Sequence, residues 1–184
     1  MILIFNMRRT IIKKISLISL LAALAIVLSI AESFISLGIP GVKLGLANVV
    51  IIIALYAFNF WYALGISILR VFVTSLCLGT IFQMGFFMSL TGSILSLLIM
   101  LLFKKVFPKF SVVGVSTVGS IFHVTGQIII ATIYMGNLMF YYYPLIFVCS
   151  IVTGVLTGII ALNVMKLSIF KNWNAPKHKE ISKN

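Results

Sequence analysis

The chain has 184 residues, of which 62% are hydrophobic and 9% are charged. A soluble domain carries about 25% charged residues, so a water-soluble fold is excluded because too few charges remain to cover so apolar a chain. The formal net charge is +12, but the basic residues lie at the ends of apolar runs. That placement is typical of contacts with anionic lipid headgroups and does not favour nucleic-acid binding.

Six apolar runs are long enough to cross a membrane, since a hydrocarbon core of about 30 Å requires about 20 residues of helix. Continuous runs favour helices over the alternating strands of a membrane barrel. The first run is longer than that of a signal peptide and has no clear cleavage site, so we expect it to be retained. The predicted helices cover residues 14–33, 44–60, 61–80, 85–104, 111–134 and 141–166.

The basic residues predict the orientation of these helices. With the N-terminus in the cytoplasm, every basic residue except Lys43 and Arg70 falls in a cytoplasmic loop or tail, as the positive-inside rule requires. The sequence therefore predicts an all-α, polytopic membrane protein. We expect one integral membrane domain over 1–184, a six-transmembrane-helix bundle with both termini cytoplasmic, and a polar cytoplasmic tail at 167–184. The expected location is the bacterial cytoplasmic membrane.

A shortage of acidic residues limits the chemistry of this chain. Its only acids are Glu32 and Glu180, whereas a prenyl synthase holds magnesium against a diphosphate with clustered carboxylates. The chain also lacks the G-x-x-x-x-G-K-[ST] loop with which ATPases hold phosphates. The two cysteines lie in separate apolar runs, without the spacing of a metal site. We expect no enzymatic activity, no catalytic residue, no cofactor and no metal.

Two polar stripes interrupt the apolar runs. Arg70 lies near the middle of the third run, where an arginine costs about 2.5–3.5 kcal/mol and must face the bundle interior or a watery cavity. Ser67 and Thr74 share its helical face. The stripe of the fifth run comprises Ser116, Ser120, His123 and Gln127. For the hydroxyl groups, ligand contact and simple hydrogen bonding between helices both remain open.

Further polar residues lie where the first run meets the second. Glu32 ends the first run, and the stretch IPGVKLGLANVV at 39–50 adds Lys43 and Asn48. In the predicted orientation this junction lies on the outer side, so we predict a pocket that opens outward. Its candidate substrate-binding residues are Glu32, Lys43, Asn48, Arg70, Thr74, His123 and Gln127.

Four stretches carry a resemblance to a known family. They are PGVKLGLANVV at 40–50, LRVFVTSLCLGT at 69–80, GSIFHVTGQ at 119–127 and TGVLTG at 153–158. They resemble the Gx transporter family, also labelled heptaprenyl diphosphate synthase component I, over about residues 15–165. That family looks like the S-components of energy-coupling factor (ECF) transporters, six-helix proteins that bind vitamins or other micronutrients from outside the cell.

The resemblance implies partners for this chain. An S-component works with a transmembrane coupling subunit and two ATPase subunits. S-components typically dock the coupling subunit through a small-xxx-small row on helix one, for which the nearest match here is Ala25-xxx-Ser29. The family's synthase label is at odds with the missing aspartates, so it does not imply synthase chemistry for this chain.

The residues suggest how such a subunit would bind its substrate. The glycines and proline of segment 34–43 would allow it to close as a lid over the outer pocket. Lys43 would attract an anionic group and pair with Glu32 when no substrate is bound, above a floor formed by Arg70. Asn48, His123 and Gln127 would orient the ligand, a small anionic or carbonyl-rich micronutrient or isoprenoid-related molecule.

Two alternatives remain open at the level of sequence. Related family members look linked to flavin- or quinone-dependent extracellular electron transfer, so the chain could be a membrane subunit of such a system. In that case Arg70, His123 and Gln127 would hydrogen-bond a quinone carbonyl. The other alternative is a structural membrane subunit without a ligand, in which the polar stripes only join helices.

Overall fold

The computed structural model describes residues 2–34, 43 and 45–167, with side chains described from residue 11 onward. The described residues are all-helical and contain no β-strand, which confirms the predicted all-α class. The helices are α1 (Ile2–Ser33), α2 (Asn48–Ala57), α3 (Phe60–Cys77), α4 (Met84–Val106), α5 (Val112–Met135) and α6 (Tyr143–Met165), with a 3-10 helix at Asn137–Tyr142 before α6.

Five of these helices, α1 and α3 to α6, are long and apolar enough to cross a membrane. Helix α2 has 10 residues and therefore rises only about 15 Å, half of a hydrocarbon core. The predicted helix at 44–60 was too long, because apolar residues on both sides of α2 belong to connections. Helix α1 begins earlier than the predicted 14–33, at Ile2. The predicted tail at 168–184 lies outside the described residues.

Local hydrogen bonds set several helix ends. The Asn59 side chain accepts the backbone N–H of Phe60 at 2.6 Å at the start of α3. The Ser111 hydroxyl accepts the N–H of Gly114 at 3.1 Å at the start of α5, the usual role of serine at this position. Gly136, with φ of 86°, ends α5. The cap at Asn59 separates α2 from α3, which the hydropathy pattern alone nearly joins.

Helix α2 is the centre of the bundle. It contacts all five other helices, and nine of its residues are buried, so protein rather than lipid surrounds it. At its C-terminal end, the Lys104 ammonium of α4 donates to the carbonyl oxygen of Leu55 at 2.7 Å. A cation at this position favourably offsets the partial negative charge of a helix C-terminus.

Glycine allows α4 and α5 to approach backbone to backbone. A Cβ added at Gly126 would lie 2.8 Å from the Gly92 Cα, and one added at Gly92 would lie 2.6 Å from the carbonyl oxygen of His123. Real Cβ atoms do not approach so closely, so any larger residue at either position must separate the two helices. This contact fixes the position of His123 along the axis of α4.

The small residues of α6 pack against α5 inside the bundle. A Cβ added at Gly154 would lie 2.6 Å from the Thr117 Cα. The Thr157 hydroxyl is hydrogen-bonded to that of Ser116 at 2.9 Å. These small residues therefore join two helices of the same chain.

Candidate functional site

Six polar residues from four helices and one connection meet at the end of the bundle where α1 ends and α2 begins. We call them the polar cluster: Glu32, Lys43, Asn48, Arg70, His123 and Gln127. All except Lys43 are at most 3% exposed. Burying so many polar groups is costly unless they are paired with one another or with a ligand, so each group's partner matters.

Glu32 anchors the start of α2. Its carboxylate accepts the backbone N–H of Leu46 in a short hydrogen bond and that of Ala47 at 3.5 Å. Ala47 is the N-cap residue and offers no side-chain acceptor, so Glu32 supplies the cap from α1. The negative charge also offsets the partial positive charge of the helix N-terminus.

Lys43 is held at two points. Its backbone N–H donates to Gln127 Oε1 at 3.2 Å, and its ammonium donates to the Ser29 hydroxyl of α1 at 3.4 Å. Within the part of the chain that the structure describes, no ion pair joins Lys43 to Glu32. In this arrangement the Lys43 ammonium contacts Ser29 and the Glu32 carboxylate contacts the start of α2, so the predicted contact between Lys43 and Glu32 is not formed.

The surroundings of Lys43 make it easier to deprotonate than a free lysine. Burial, and then the positive charge of Arg70, lower the pKa of Lys43 to about 8, while Glu32 acts in the opposite direction. The ammonium is therefore charged at neutral pH and loses its proton in mildly alkaline solution.

His123 and Gln127 lie one turn apart on α5 and contact each other. Their Nε2 atoms are 3.0 Å apart, so Gln127 links His123 to the backbone of Lys43. Gly45, with φ of 87°, lies against this pair: a Cβ added there would lie 3.1 Å from Asn48 Nδ2 and 3.5 Å from His123 Cδ2. Glycine at 45 thus provides both the backbone conformation and the space that the cluster requires.

Arg70 enters the cluster from α3. Its Nη2 donates to the Ser93 hydroxyl of α4 in a short hydrogen bond, and Ser93 directly follows Gly92, which contacts His123. Among the described residues, Arg70 Nε, Asn48 Nδ2 and the Thr74 hydroxyl have no hydrogen-bond partner. A buried donor without an acceptor costs about 1–3 kcal/mol, and more when it is charged. The cluster therefore contains buried donors, Arg70 Nε and Asn48 Nδ2, that lack an acceptor among the described residues.

The polar cluster contains six of the seven predicted substrate-binding residues, and the seventh, Thr74, lies one turn beyond Arg70 on α3. Sequence reasoning missed Ser93 and Gly92, which carry no charge and lie in an otherwise apolar run. The T-G-S triplet at 91–93 was the available signal. Most of the predicted lid, residues 35–42, lies outside the described residues.

The two predicted docking residues are not on the surface. Ala25 is 0% and Ser29 3% exposed, because Ala25 packs in the core with α2 and Ser29 accepts from Lys43. This corrects the expectation that they face a partner. Ser19 and Ala23 are among the small residues of α1 that are exposed.

Ser19 and Ala23 line a groove of about 420 Å³ between α1 and α3. We call it the α1–α3 groove. Its other lining residues are Ile18, Ala22, Ile26, Trp61, Tyr62, Gly65, Ile66 and Leu69.

Glu32→Gln is expected to lower the thermal unfolding midpoint by several degrees. The amide can accept only one of the two α2 N–H groups and lacks the charge that balances Lys43 and Arg70, a loss on the order of 2 kcal/mol. Scanning fluorimetry of the protein in mild detergent measures the midpoint. Glu180→Gln, which changes the only other acid, is the control. Equal midpoints for the two variants would contradict the anchoring role.

The helices and the buried cluster define a polytopic helical membrane protein with a polar interior at one end. The chain belongs to the heptaprenyl diphosphate synthase component I family, whose model matches residues 21–164. This range includes the whole polar cluster and all four stretches that carried the resemblance, so the match confirms the family recognised from them. Comparisons with curated proteins and with solved structures give no match.

Proposed function

We propose that this protein is the substrate-binding membrane subunit of an ECF-type, ATP-driven uptake transporter. Its substrate is a small anionic or carbonyl-rich micronutrient or isoprenoid-related molecule. The observation that carries the proposal is the polar cluster, in which Lys43, Arg70 and Asn48 meet His123 and Gln127 at one end of a helical bundle. The protein is not itself an enzyme in this proposal.

Ligand binding explains the cluster better than helix association does. Ser116 and Thr157, which join two helices, satisfy each other at 2.9 Å. Arg70 Nε and Asn48 Nδ2 lack acceptors among the described residues, as do some buried hydroxyl groups such as that of Ser96, but Arg70 is charged, and a missing acceptor costs more for a charged group. A charge retained within a membrane-spanning helix generally marks a functional site.

The proposed topology has six spans and both termini in the cytoplasm of a bacterial cell. The polar cluster then faces outward, where an uptake protein must capture its substrate. Helix α2 forms only part of the second span, which its flanking connections complete, and it presents Asn48 at the outer side of the bundle.

Capture would require Lys43 to move. Its two hydrogen bonds, to Gln127 and Ser29, hold Lys43 in its place in the cluster. A substrate that binds more tightly to the closed arrangement would shift the population toward closure, whereas one with equal affinity for both would not.

Transport would draw its energy from partner subunits, because the chain has no phosphate-binding loop of its own. We place the docking surface for the transmembrane coupling subunit in the α1–α3 groove. Ser19, Ala23 and Gly65 lie along it, and small residues allow a partner helix to approach closely. The two ATPase subunits would bind the coupling subunit.

Purification of the tagged full-length protein from its native membrane tests this proposal. We expect a coupling subunit and two ATPases to be identified by mass spectrometry. Ala23→Trp should remove them by filling the α1–α3 groove, whereas Ile133→Trp, at a 72% exposed position on α5, should not. A flavoprotein or quinone-linked partner without ATPases would instead support the electron-transfer alternative. Recovery of the protein alone would favour a structural subunit.

A further inference from the structure

We infer that the substrate is a monocarboxylate, an organic molecule with one negative charge, and not a diphosphate. This inference rests on the proposed function and narrows the substrate class of that same site. It depends on the charges of the polar cluster, on its donors that lack an acceptor, and on the small number of acidic residues in the chain.

The charges of the cluster leave one positive charge unbalanced. Among the described residues it contains one carboxylate, Glu32, and two cationic side chains, Lys43 and Arg70. Glu32 also caps the N-terminus of α2, since its oxygens accept the backbone N–H groups of Leu46 and Ala47. An unbalanced charge in a buried site is strongly unfavourable. A ligand with one negative charge would neutralise the site, whereas a diphosphate would leave an excess of negative charge.

The unpartnered donors suit a carboxylate. Arg70 Nε and Asn48 Nδ2 are buried and have no acceptor within the described part of the chain. Both residues lie in the neighbourhood of His123: Ser93, which accepts from Arg70, follows Gly92, where a Cβ would meet His123, and a Cβ at Gly45 would meet both His123 and Asn48. Two carboxylate oxygens can accept from both a guanidinium and an amide, and such charge-assisted hydrogen bonds are strong.

A diphosphate would need more positive charge than the chain offers at this end. Proteins usually bring it as magnesium held by carboxylates. The chain has only two acids, of which Glu32 is engaged by α2. No group of three or more histidine, cysteine, aspartate or glutamate side chains lies together among the described residues. The cluster therefore lacks the ligands that would bring magnesium to a diphosphate.

Paired ligands test the inference directly. The probes are benzoate, nicotinate, 1-naphthoate and octanoate, each beside its own primary amide, together with geranyl diphosphate. Their effect on the thermal unfolding midpoint is measured with the full-length protein in mild detergent. We expect at least one carboxylate to bind tenfold more tightly than its amide and than geranyl diphosphate. The inference is overturned if no carboxylate binds, or if an amide or the diphosphate binds as tightly.

Variants of Lys43 provide a second test, with pH as the variable. Lys43 is flanked by Glu32 and Arg70 and, through Gln127, by His123. Arginine keeps its proton in mild alkali. Since the pKa of Lys43 is about 8, carboxylate affinity should fall about tenfold as pH rises from 7 to 9. Lys43→Arg should remove this fall, and Lys43→Gln should be weak at both pH values. An affinity independent of pH in the unmodified protein would contradict the charge argument.

The proposed transport function and the proposed substrate class can be disproved independently. If ATPases co-purify and mass spectrometry finds a neutral molecule or a diphosphate released from the denatured protein, the transporter subunit stands and the substrate class is wrong. If no ATPases co-purify but a carboxylate binds with the expected preference, the site is correct and its role in transport is not.

Discussion

Arg70→Leu is expected to reduce substrate binding at least 100-fold while the protein still inserts into the membrane. The guanidinium supplies both the unbalanced positive charge and a buried donor without an acceptor among the described residues. A 100-fold loss corresponds to about 2.8 kcal/mol, which is reasonable for a buried charged hydrogen bond. Insertion should be spared or improved, since a central arginine costs about 2.5–3.5 kcal/mol.

Two further variants separate charge from geometry at Arg70. Arg70→Lys keeps the charge but loses the planar array of donors, so it should bind with intermediate affinity. Ser93→Ala removes the hydroxyl that accepts from Arg70 Nη2 and leaves the charge in place, so it should bind within about tenfold of the unmodified protein. Affinity is measured in detergent with the carboxylate probes, through their effect on the thermal unfolding midpoint, and insertion is measured by the amount of monodisperse protein. Unchanged binding by Arg70→Leu would contradict the site as a whole.

Much of the fold could be predicted from the sequence because the membrane imposes it. Runs of apolar residues must be helical where water cannot satisfy the backbone, and five runs correspond to helices of spanning length. Helix α2 could not be predicted as a short central helix. Its apolar residues are buried against protein, and hydropathy does not distinguish protein from lipid as surroundings.

The sequence predicted which residues form the candidate site, but not which of them contact one another. Charged and amide side chains within apolar runs are conspicuous, and this identified Arg70, His123 and Gln127. The groups that these side chains contact depend on the rotation of each helix about its axis and on the distance between helices. Neither can be read from individual residues. Glu32 therefore bonds α2 and not Lys43. Ser29, predicted on a docking surface, proves to be the partner of the Lys43 ammonium.

The close approach of α4 and α5 also explains why uncharged residues matter to this site. Gly92 carries no functional group, but its position sets how closely α4 and α5 approach. A Cβ at this position would lie 2.6 Å from the carbonyl oxygen of His123 and 3.1 Å from both His123 Nδ1 and Gln127 Cγ. The first of these neighbours is backbone, so the clash cannot be relieved by rotation of a side chain.

Gly92→Ala is therefore expected to weaken binding at least tenfold and to lower the unfolding midpoint by several degrees, since overpacking a tight contact typically costs 1–3 kcal/mol. Gly65→Ala on α3 is the matched control, because a Cβ there meets nothing within 4 Å and alanine favours the helix. Both variants are compared in detergent, by scanning fluorimetry and by binding of the carboxylate probes, so that docking of a partner in the α1–α3 groove does not enter the comparison. If Gly92→Ala behaved like Gly65→Ala, α4 and α5 would be free to separate without cost, and the position of His123 would not depend on their contact.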